Sequence, residues 1–262
     1  MTDIDIVDQE ALFDQLADEY DLLLGDWNED LKKQGRQLDA LFRHFAGGSI
    51  RNVLDCTCGI GTQSLGLGLL GYQVTGTDIS DASIRRARKE AGAMGLDHMV
   101  FQRADLRRLD ATVTGTFDAV ISCDNSLPAL LTLEDVRLAL KQMAHRLDPA
   151  GICVISIRNF ERIFAQKSRF NPRHIHEKDG RRVIVFDVWD YVGQGQVRFN
   201  VFFLRETDKG WETACRKMAY QALYREDLVA ELKRAGFTHV EVLERFEGEP
   251  LQFDFYICSR QS

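Results

Sequence analysis

Residues 53–62 read Val-Leu-Asp-Cys-Thr-Cys-Gly-Ile-Gly-Thr, and this stretch decides the fold. Its apolar start predicts a buried strand, and its two glycines predict a tight turn before a helix. Because Gly59 and Gly61 have no side chains, the backbone can come close to a ligand at the helix N-terminus, where unpaired N–H groups point outward. The stretch therefore predicts a cradle for a nucleoside-containing cofactor.

The next strand and two departures from the dinucleotide-binding fingerprint narrow the choice of cofactor. A second strand is predicted over 72–77, and Asp78 at its end can accept hydrogen bonds from both hydroxyls of a ribose. Ser64 stands where the fingerprint has its third glycine. Asp55 places a negative charge beside the turn, which repels a pyrophosphate and suits a cationic ligand. These departures favour S-adenosylmethionine over a dinucleotide.

The spacing Asp55-x-x-x-Gly59-x-Gly61 resembles the first motif of the class I S-adenosylmethionine-dependent methyltransferases. Later stretches resemble that family's third motif, fourth strand, turn and fifth strand in the same order, at 101–105, 117–123, 147–151 and 152–157. The resemblance implies that Asp105 accepts the adenine amino group. It implies a cofactor site formed by Asp55, Cys58, Gly59, Gly61, Thr62, Asp78, Ile79, Ala104, Asp105, Leu106 and Cys123.

The order of predicted elements indicates an α/β fold. Strands and helices alternate from 51 to 160, which is typical of parallel βαβ units. We therefore expect a Rossmann-like, doubly wound, seven-stranded sheet, completed by a helix over 225–235 and by strands near 240–243 and 253–257. Helical periodicity over 8–46, interrupted near Gly25, predicts an N-terminal helical cap.

A different pattern follows the fifth strand. Runs of β-branched and aromatic residues, separated by short glycine-containing turns, predict an inserted antiparallel meander with strands at 182–191, 196–204 and 211–220. We expect this meander to cover the acceptor site. The chain is then a single methyltransferase domain over 1–262, made of a cap (1–48), a cofactor-binding core (49–160), the antiparallel cover (161–224) and a C-terminal helix with core strands (225–262).

Composition restricts the possible partners and the compartment. The net charge of -7 argues against an extended nucleic-acid surface, and no apolar run approaches the length of a membrane span. The six cysteines include no CxxC pair, so they predict buried thiols in a reducing cytoplasm. His174 and His176 are interpreted as an exposed loop pair, and no metal site is expected. The oligomeric state stays open.

The acceptor site is expected beyond the ends of strands four and five. Asn125-Ser126 and Arg158-Asn159 follow these strands, and this pairing is similar to that of the glycine/sarcosine N-methyltransferase group. The resemblance implies a small-molecule acceptor whose carboxylate is held by Arg158 and Asn125, the two candidate catalytic residues, with no dedicated general base. Tyr20 and Tyr220 are candidate substrate-binding residues, with core packing as the alternative. Asp124 departs from the group, which often has a small residue there.

Other functions remain open at this point. Asp124-Asn125 resembles a fragment of the metal site of O-methyltransferases that use a divalent ion. Methylation of a nucleobase or protein amide is disfavoured because the Asn-Pro-Pro-aromatic signature is absent. A non-catalytic module that binds S-adenosylmethionine and a nicotinamide-dependent oxidoreductase are the remaining alternatives.

Overall fold

The computed structural model of the chain describes residues 8–46, 49–193 and 195–260. Its strands are β1 (Asn52–Asp55), β2 (Gln73–Asp78), β3 (Val100–Arg103), β4 (Phe117–Ser122), β5 (Leu147–Ile157), β6 (Phe170–Lys178), β7 (Arg181–Gly193), β8 (Gln196–Thr207), β9 (Gly210–Gln221), β10 (His239–Phe246) and β11 (Glu249–Ser259). Its α-helices are α1 (Gln9–Leu16), α2 (Trp27–Phe45), α3 (Thr62–Gly68), α4 (Asp81–Ala93), α5 (Leu133–Arg146), α6 (Phe160–Gln166) and α7 (Arg225–Arg234). Short 3-10 helices span Tyr20–Leu23, Leu106–Ala111 and Leu127–Leu130. Within these ranges no helix is both long enough and apolar enough to cross a membrane.

Seven strands form the main sheet, in the order β10-β11-β5-β4-β1-β2-β3. The neighbours from β5 to β3 pair in parallel. β11 is the one reversed strand of this sheet among the described residues, because it pairs antiparallel with both β5 and β10. The strand order reverses between β1 and β4, and in open α/β sheets ligands bind at such a switch point, beyond the carboxyl ends of the strands. The predicted α/β fold with a Rossmann-like, seven-stranded sheet is confirmed.

Helices cover both faces of this sheet, which is why its central strands are apolar throughout. Val53 packs with residues of α2, α3 and α4 on one face. Its neighbour Leu54 packs with residues of α5 and α7 on the other face. Successive side chains of a strand point to opposite faces, so one continuous apolar run contributes to both cores.

The N-terminal segment is helical and is interrupted near Gly25, where the sequence predicts a break. The first 3-10 helix and an extended Leu24 separate α1 from α2. Asp26 then starts α2, because its side chain accepts hydrogen bonds from the backbone N–H groups of Asn28 and Glu29. Residues 1–7 and 47–48 of the predicted cap lie outside the described residues.

The inserted sheet has four strands, in the order β6-β7-β8-β9, where the sequence predicted three. His174 and His176 do not lie in a loop as interpreted, because both lie on β6 and pair with residues of β7. His174 is exposed, as expected, whereas His176 is half-buried. The pairing register shifts between Pro172 and His174. This irregularity and the proline interrupt the alternation by which a strand is recognised in a sequence.

The stretch predicted as a turn over 147–151 forms an irregularity within β5, where residues 148–151 lie opposite a single residue of β4. β5 already begins at Leu147, and its pairing with β4 shifts register before Ile152. A Cβ on Gly151 would lie 2.7 Å from the carbonyl oxygen of Asp118, so glycine permits a close backbone approach at this irregularity. Residues with turn-forming character are thus accommodated inside the strand.

Helices α2 and α3 touch through two glycines. A Cβ on Gly66 would lie 2.2 Å from the carbonyl oxygen of Leu31, and a Cβ on Gly35 would lie 2.5 Å from the carbonyl carbon of Gly66. Both obstacles are backbone atoms, which cannot rotate away as a side chain can. The contact fixes α3, and with it the glycine-rich turn that precedes α3, against α2.

We expect Gly66→Ala to lower the free energy of unfolding by roughly 1–3 kcal/mol, because the added methyl forces the two helices apart. Urea unfolding followed by circular dichroism measures this change. Gly92→Ala in α4 is the matched control, since its Cβ would come no closer than 3.6 Å to another group and alanine favours a helix. Equal stability of the Gly66 variant and the parent would contradict the close contact.

Candidate functional site

The carboxyl ends of β1, β2 and β3 border a cavity of about 450 Å³, called the first cavity here. Six of the predicted cofactor-binding residues line it, namely Gly59, Asp78, Ile79, Ala104, Asp105 and Leu106. Residues 8–10 and Phe13, at the start of the chain, close its outer side. A Cβ on Gly59 would meet no atom within 4 Å, so the bare backbone of the turn faces open space. This space fits the close approach of a nucleoside.

The glycine-rich turn and Asp78 hold each other in place. Gly59 and Gly61 have φ angles of 53° and 98°, which glycine adopts without strain. The N–H of Gly59 donates to Asp78 Oδ2 at 2.9 Å, and the N–H of Ser80 donates to Asp78 Oδ1 at 2.9 Å. Burial raises the pKa of Asp78, while these backbone hydrogen bonds oppose the rise. The carboxylate is therefore fixed at the cavity wall before any ligand arrives.

Asp105 is held in a different way. It caps the second 3-10 helix by accepting from the N–H of Arg107, and it forms an ion pair of 2.7 Å with the guanidinium of the same residue. Burial raises its pKa, but the hydrogen bonds and the charge of Arg107 outweigh burial and hold the pKa below the usual value. An adenine amino group would therefore share this carboxylate with Arg107.

The other predicted cofactor residues do not line the first cavity. Asp55 lies beneath the turn, 1% exposed, where Ser64 Oγ donates to its Oδ2 at 2.7 Å. The serine that replaces the third fingerprint glycine is thus the partner of this buried carboxylate. Thr62 Oγ1 accepts from the indole of Trp27 at 2.9 Å. Gly61, Cys58 and Cys123 also lie away from the cavity: Gly61 faces Leu65, the Cys58 sulfur lies behind Gly76, and Cys123 borders a separate cavity.

A second cavity, of about 500 Å³, lies between the ends of β4 and β5 and the inserted sheet. All four predicted acceptor residues, Tyr20, Asn125, Arg158 and Tyr220, line it. Tyr20 lines the first cavity as well, so the two cavities meet at this residue. Burial raises the pKa of Tyr220 to about 12, which keeps its hydroxyl protonated.

Arg158 presents a cation to the second cavity. Its guanidinium carbon lies 5.8 Å, 5.7 Å and 5.5 Å from the ring centroids of Trp189, Phe199 and Phe253. Within the described part of the chain it forms no ion pair with a carboxylate, and burial and the nearby Arg173 lower its pKa. Aromatic faces partly stabilise such a cation, but they leave its hydrogen-bond donors available to a ligand.

Asn125 joins the ends of β4 and β5. Its Oδ1 accepts from the backbone N–H of Arg158 at 3.0 Å, and its own N–H donates to the carbonyl of Ser156 at 2.9 Å. Its amide nitrogen Nδ2 is buried and points toward the hydroxyl of Tyr220, without reaching full hydrogen-bond geometry. A buried donor without a full hydrogen bond is costly, so a ligand acceptor at this point would be stabilising.

Sequence reasoning expected the inserted sheet to cover the acceptor site, but it did not single out the lining residues from β6 to β8. Arg173 lines the second cavity and forms an ion pair of 2.8 Å with the buried Asp187. Trp189 and Phe199 stack with their ring centroids 4.1 Å apart. The aromatic residues at alternate positions of the predicted strands were the sequence signal that could have identified Trp189 and Phe199 as lining residues. Among the described residues no group of three or more His, Cys, Asp or Glu side chains is arranged to hold a metal ion.

The family model and the relatives that match this chain are methyltransferases. A methyltransferase domain model matches residues 53–151. The glycine/sarcosine N-methyltransferase of Parasynechococcus marenigrum is 30% identical over 196 residues, which cover 74% of this chain and 67% of that enzyme. Human glycine N-methyltransferase is 32% identical over 173 residues, covering 60% of this chain and 58% of that enzyme. The chain thus spans roughly three fifths to two thirds of these relatives.

Solved structures share the fold. The DesVI protein of Streptomyces venezuelae superposes with a TM-score of 0.76 at 22% identity, covering 99% of this chain and 100% of that structure. An S-adenosylmethionine-dependent methyltransferase from Clostridium acetobutylicum gives a TM-score of 0.74 at 15% identity, covering 94% and 98% of the two chains. At these identities the likeness concerns the fold.

We expect Asp78→Asn to weaken binding of S-adenosylhomocysteine by roughly ten- to a hundredfold, because a charge-assisted acceptor is worth about 1.5–3 kcal/mol per hydrogen bond. Isothermal titration calorimetry measures the dissociation constant. Asp81→Asn, an exposed carboxylate three residues away, is the control and should bind like the parent. Unchanged affinity in the Asp78 variant would show that this side chain does not hold the cofactor.

We expect stability to depend on pH through Asp55, whose pKa is raised by burial to about 7. An unfolded aspartate titrates near pH ~3.9, so between these values the folded state binds one more proton and stability falls as pH rises. Asp55→Asn removes this contribution, so the difference in unfolding free energy, variant minus parent, should grow by up to about 1.4 kcal/mol per pH unit from pH ~4 to ~7. Urea titrations across this range test it, and a constant difference would contradict a raised pKa.

Proposed function

The chain belongs to the S-adenosylmethionine-dependent methyltransferases, and we propose that its acceptor is the amine of a small carboxylated molecule like glycine or sarcosine. The observation that carries the proposal is the guanidinium of Arg158, which faces the second cavity without a carboxylate partner in the described chain. Arg158 is half-buried, and a partly desolvated cation without a counter-ion is stabilised when an anionic ligand pairs with it.

The carboxylate of the acceptor would lie between Arg158 and Asn125. The planar guanidinium can donate two parallel hydrogen bonds to a carboxylate. The Nδ2 group of Asn125, which faces Tyr220 without full hydrogen-bond geometry, supplies a further donor. The backbone N–H of Arg158 donates to Oδ1 and so fixes the orientation of the amide. Both donors belong to residues at adjacent strand ends, so their separation is set by the sheet.

The remaining walls exclude water and orient the amine. Aromatic rings surround Arg158, and Tyr20 stands where the two cavities meet. S-adenosylmethionine supplies the methyl group. Because a sulfonium methyl is already electrophilic, holding a nucleophilic nitrogen in line with it in a dry pocket accounts for much of the acceleration.

The relatives support this acceptor class through their names. Two of the bacterial relatives are glycine/sarcosine N-methyltransferases, one at 30% identity and another, from Halorhodospira halochloris, at 26%. The described fold also resembles an amino pentose methyltransferase, at 19% identity, so amines without a carboxylate belong in any acceptor screen.

We expect Arg158→Lys to raise the acceptor KM by roughly ten- to a hundredfold, because lysine keeps the charge but loses the planar fork. Release of S-adenosylhomocysteine from glycine, sarcosine and dimethylglycine measures this, with an amino sugar and a catechol as acceptors of other classes. Cofactor affinity should not change. Arg169→Lys, an exposed arginine paired with Asp190, is the control.

Activity of the parent on the amino sugar or catechol alone would overturn the carboxylated-amine assignment. An Arg158 variant with unchanged KM for every carboxylated amine would also overturn it. In either case the membership of the methyltransferase family would stand, because that rests on the sequence match.

A further inference from the structure

A carboxylate also lines the second cavity, and it too lacks an ion-pair partner. Asp124 ends the strand-four segment directly before Asn125. Gln63 donates to its Oδ2 at 2.8 Å, and no Arg, Lys or His nitrogen of the described residues forms an ion pair with it. Among the described residues, the cavity wall therefore contains an arginine without an ion pair, Arg158, and two carboxylates without one, Asp124 and Asp30. This arrangement is complementary to a dipolar ligand.

The backbone holds Asp124 in an unusual conformation. Asp124 and Asn125 have φ angles of 55° and 68°, in the left-handed region that residues other than glycine rarely adopt. Ser156 stabilises both, since its Oγ accepts from the N–H of Asp124 at 2.9 Å and its carbonyl accepts from the N–H of Asn125. Strain of this kind persists where the surrounding structure fixes it, and it directs the side chains.

We propose that Asp124 binds the ammonium group of the acceptor and accepts its proton before methyl transfer. The inference rests on the proposed function, because it requires an amine as acceptor. Amines of this type are protonated at neutral pH, and the nitrogen lone pair is then unavailable. An N–H bond of the ammonium breaks as an O–H bond forms on the carboxylate. The freed lone pair then forms the N–C bond while the C–S bond breaks and leaves its electrons on sulfur.

The surroundings of Asp124 suit a proton acceptor. Burial raises its pKa, and hydrogen bonding from Gln63 and Gln34 and the charge of Arg158 oppose the rise. A carboxylate with a raised pKa takes a proton more readily. The other titratable groups that face it are Asp30 from α2, Asp55 from β1 and Tyr20 from the first 3-10 helix.

The placement also defines the substrate class more closely. Arg158 and Asp124 lie at the ends of neighbouring strands, β5 and β4, so their two ligand groups must be close together on the acceptor. An amino-acid zwitterion, whose carboxylate and ammonium are separated by one carbon, has this form. An amine without a carboxylate would satisfy only one of the two charges.

Asp124→Asn tests the inference through a pH profile of kcat/KM with glycine and sarcosine. Asparagine keeps the shape and tolerates the left-handed backbone, but it cannot accept the proton. The kcat/KM of the parent should change little with pH between the pKa of Asp124 and that of the amine. The kcat/KM of the variant should be roughly a hundred- to a thousandfold lower than that of the parent at pH ~7. It should rise about tenfold per pH unit above that, because only the neutral amine reacts in the variant.

Two further variants make the outcome unambiguous. Asp124→Gly, which suits the positive φ, replaces the Asn variant if that variant fails to fold, and its kcat/KM should rise with pH in the same way. Asp208→Asn carries the same substitution in an exposed turn and should keep the profile of the parent. Affinity for S-adenosylhomocysteine should stay within about threefold of the parent in the Asp124 variants, since Asp124 does not line the first cavity.

A profile of Asp124→Asn that matches the active parent would overturn the inference and leave the proposed function intact. A tenfold or greater loss of cofactor affinity would assign the carboxylate to the cofactor and overturn it as well. Conversely, the expected pH slope with an unchanged KM in Arg158→Lys would support Asp124 while refuting the carboxylate clamp. Methylation of hydroxyl acceptors alone would refute both.

Discussion

The site depends on the hydrogen bonds by which Ser156 holds the chain as it leaves β4. Asp124 and Asn125 are both left-handed there, a conformation that Asp and Asn adopt more readily than other non-glycine residues, and the hydroxyl and carbonyl of Ser156 stabilise it. The same turn places Asn125 Oδ1 under the backbone N–H of Arg158. The ends of β4 and β5 are therefore one unit, and both candidate acceptor-binding side chains take their positions from it.

Several arginines of the protein have a close carboxylate partner: Arg173 pairs with Asp187, Arg107 with Asp105, and Arg137 with the buried Glu231. Arg158 and Asp124 differ from these pairs, because each faces the second cavity without forming an ion pair in the described chain. The buried Asp55 also has no ion pair, but it lies beneath the glycine-rich turn and not at this cavity. Uncompensated buried charges are costly to a folded protein, and such a cost is expected where a ligand supplies the missing charge.

The sequence predicted the parts of the site that depend on local pattern. The glycine turn, Asp78 at the next strand end and the sheet class follow from spacing along the chain, and the structure has them where they were expected. The position of Asp55 under the turn could not be foreseen, because burial there depends on Ser64 and on packing between elements. The aromatic wall around Arg158 was missed for a related reason. It forms only when a second sheet, whose first strand is irregular at Pro172, meets the end of the first.

The two-glycine contact between α2 and α3 has a mechanical consequence. Helix α2 places Asp30 and Gln34 at the wall of the second cavity, and α3 begins directly after the glycine-rich turn. With no layer of side chains between Gly35 and Gly66, the spacing of these two helices is a backbone dimension. Replacing the residues around the second cavity can therefore change which molecule fits there without altering how far its wall stands from the methyl donor. The contact between Gly35 and Gly66 keeps the distance between α2 and α3 constant while acceptor preference changes.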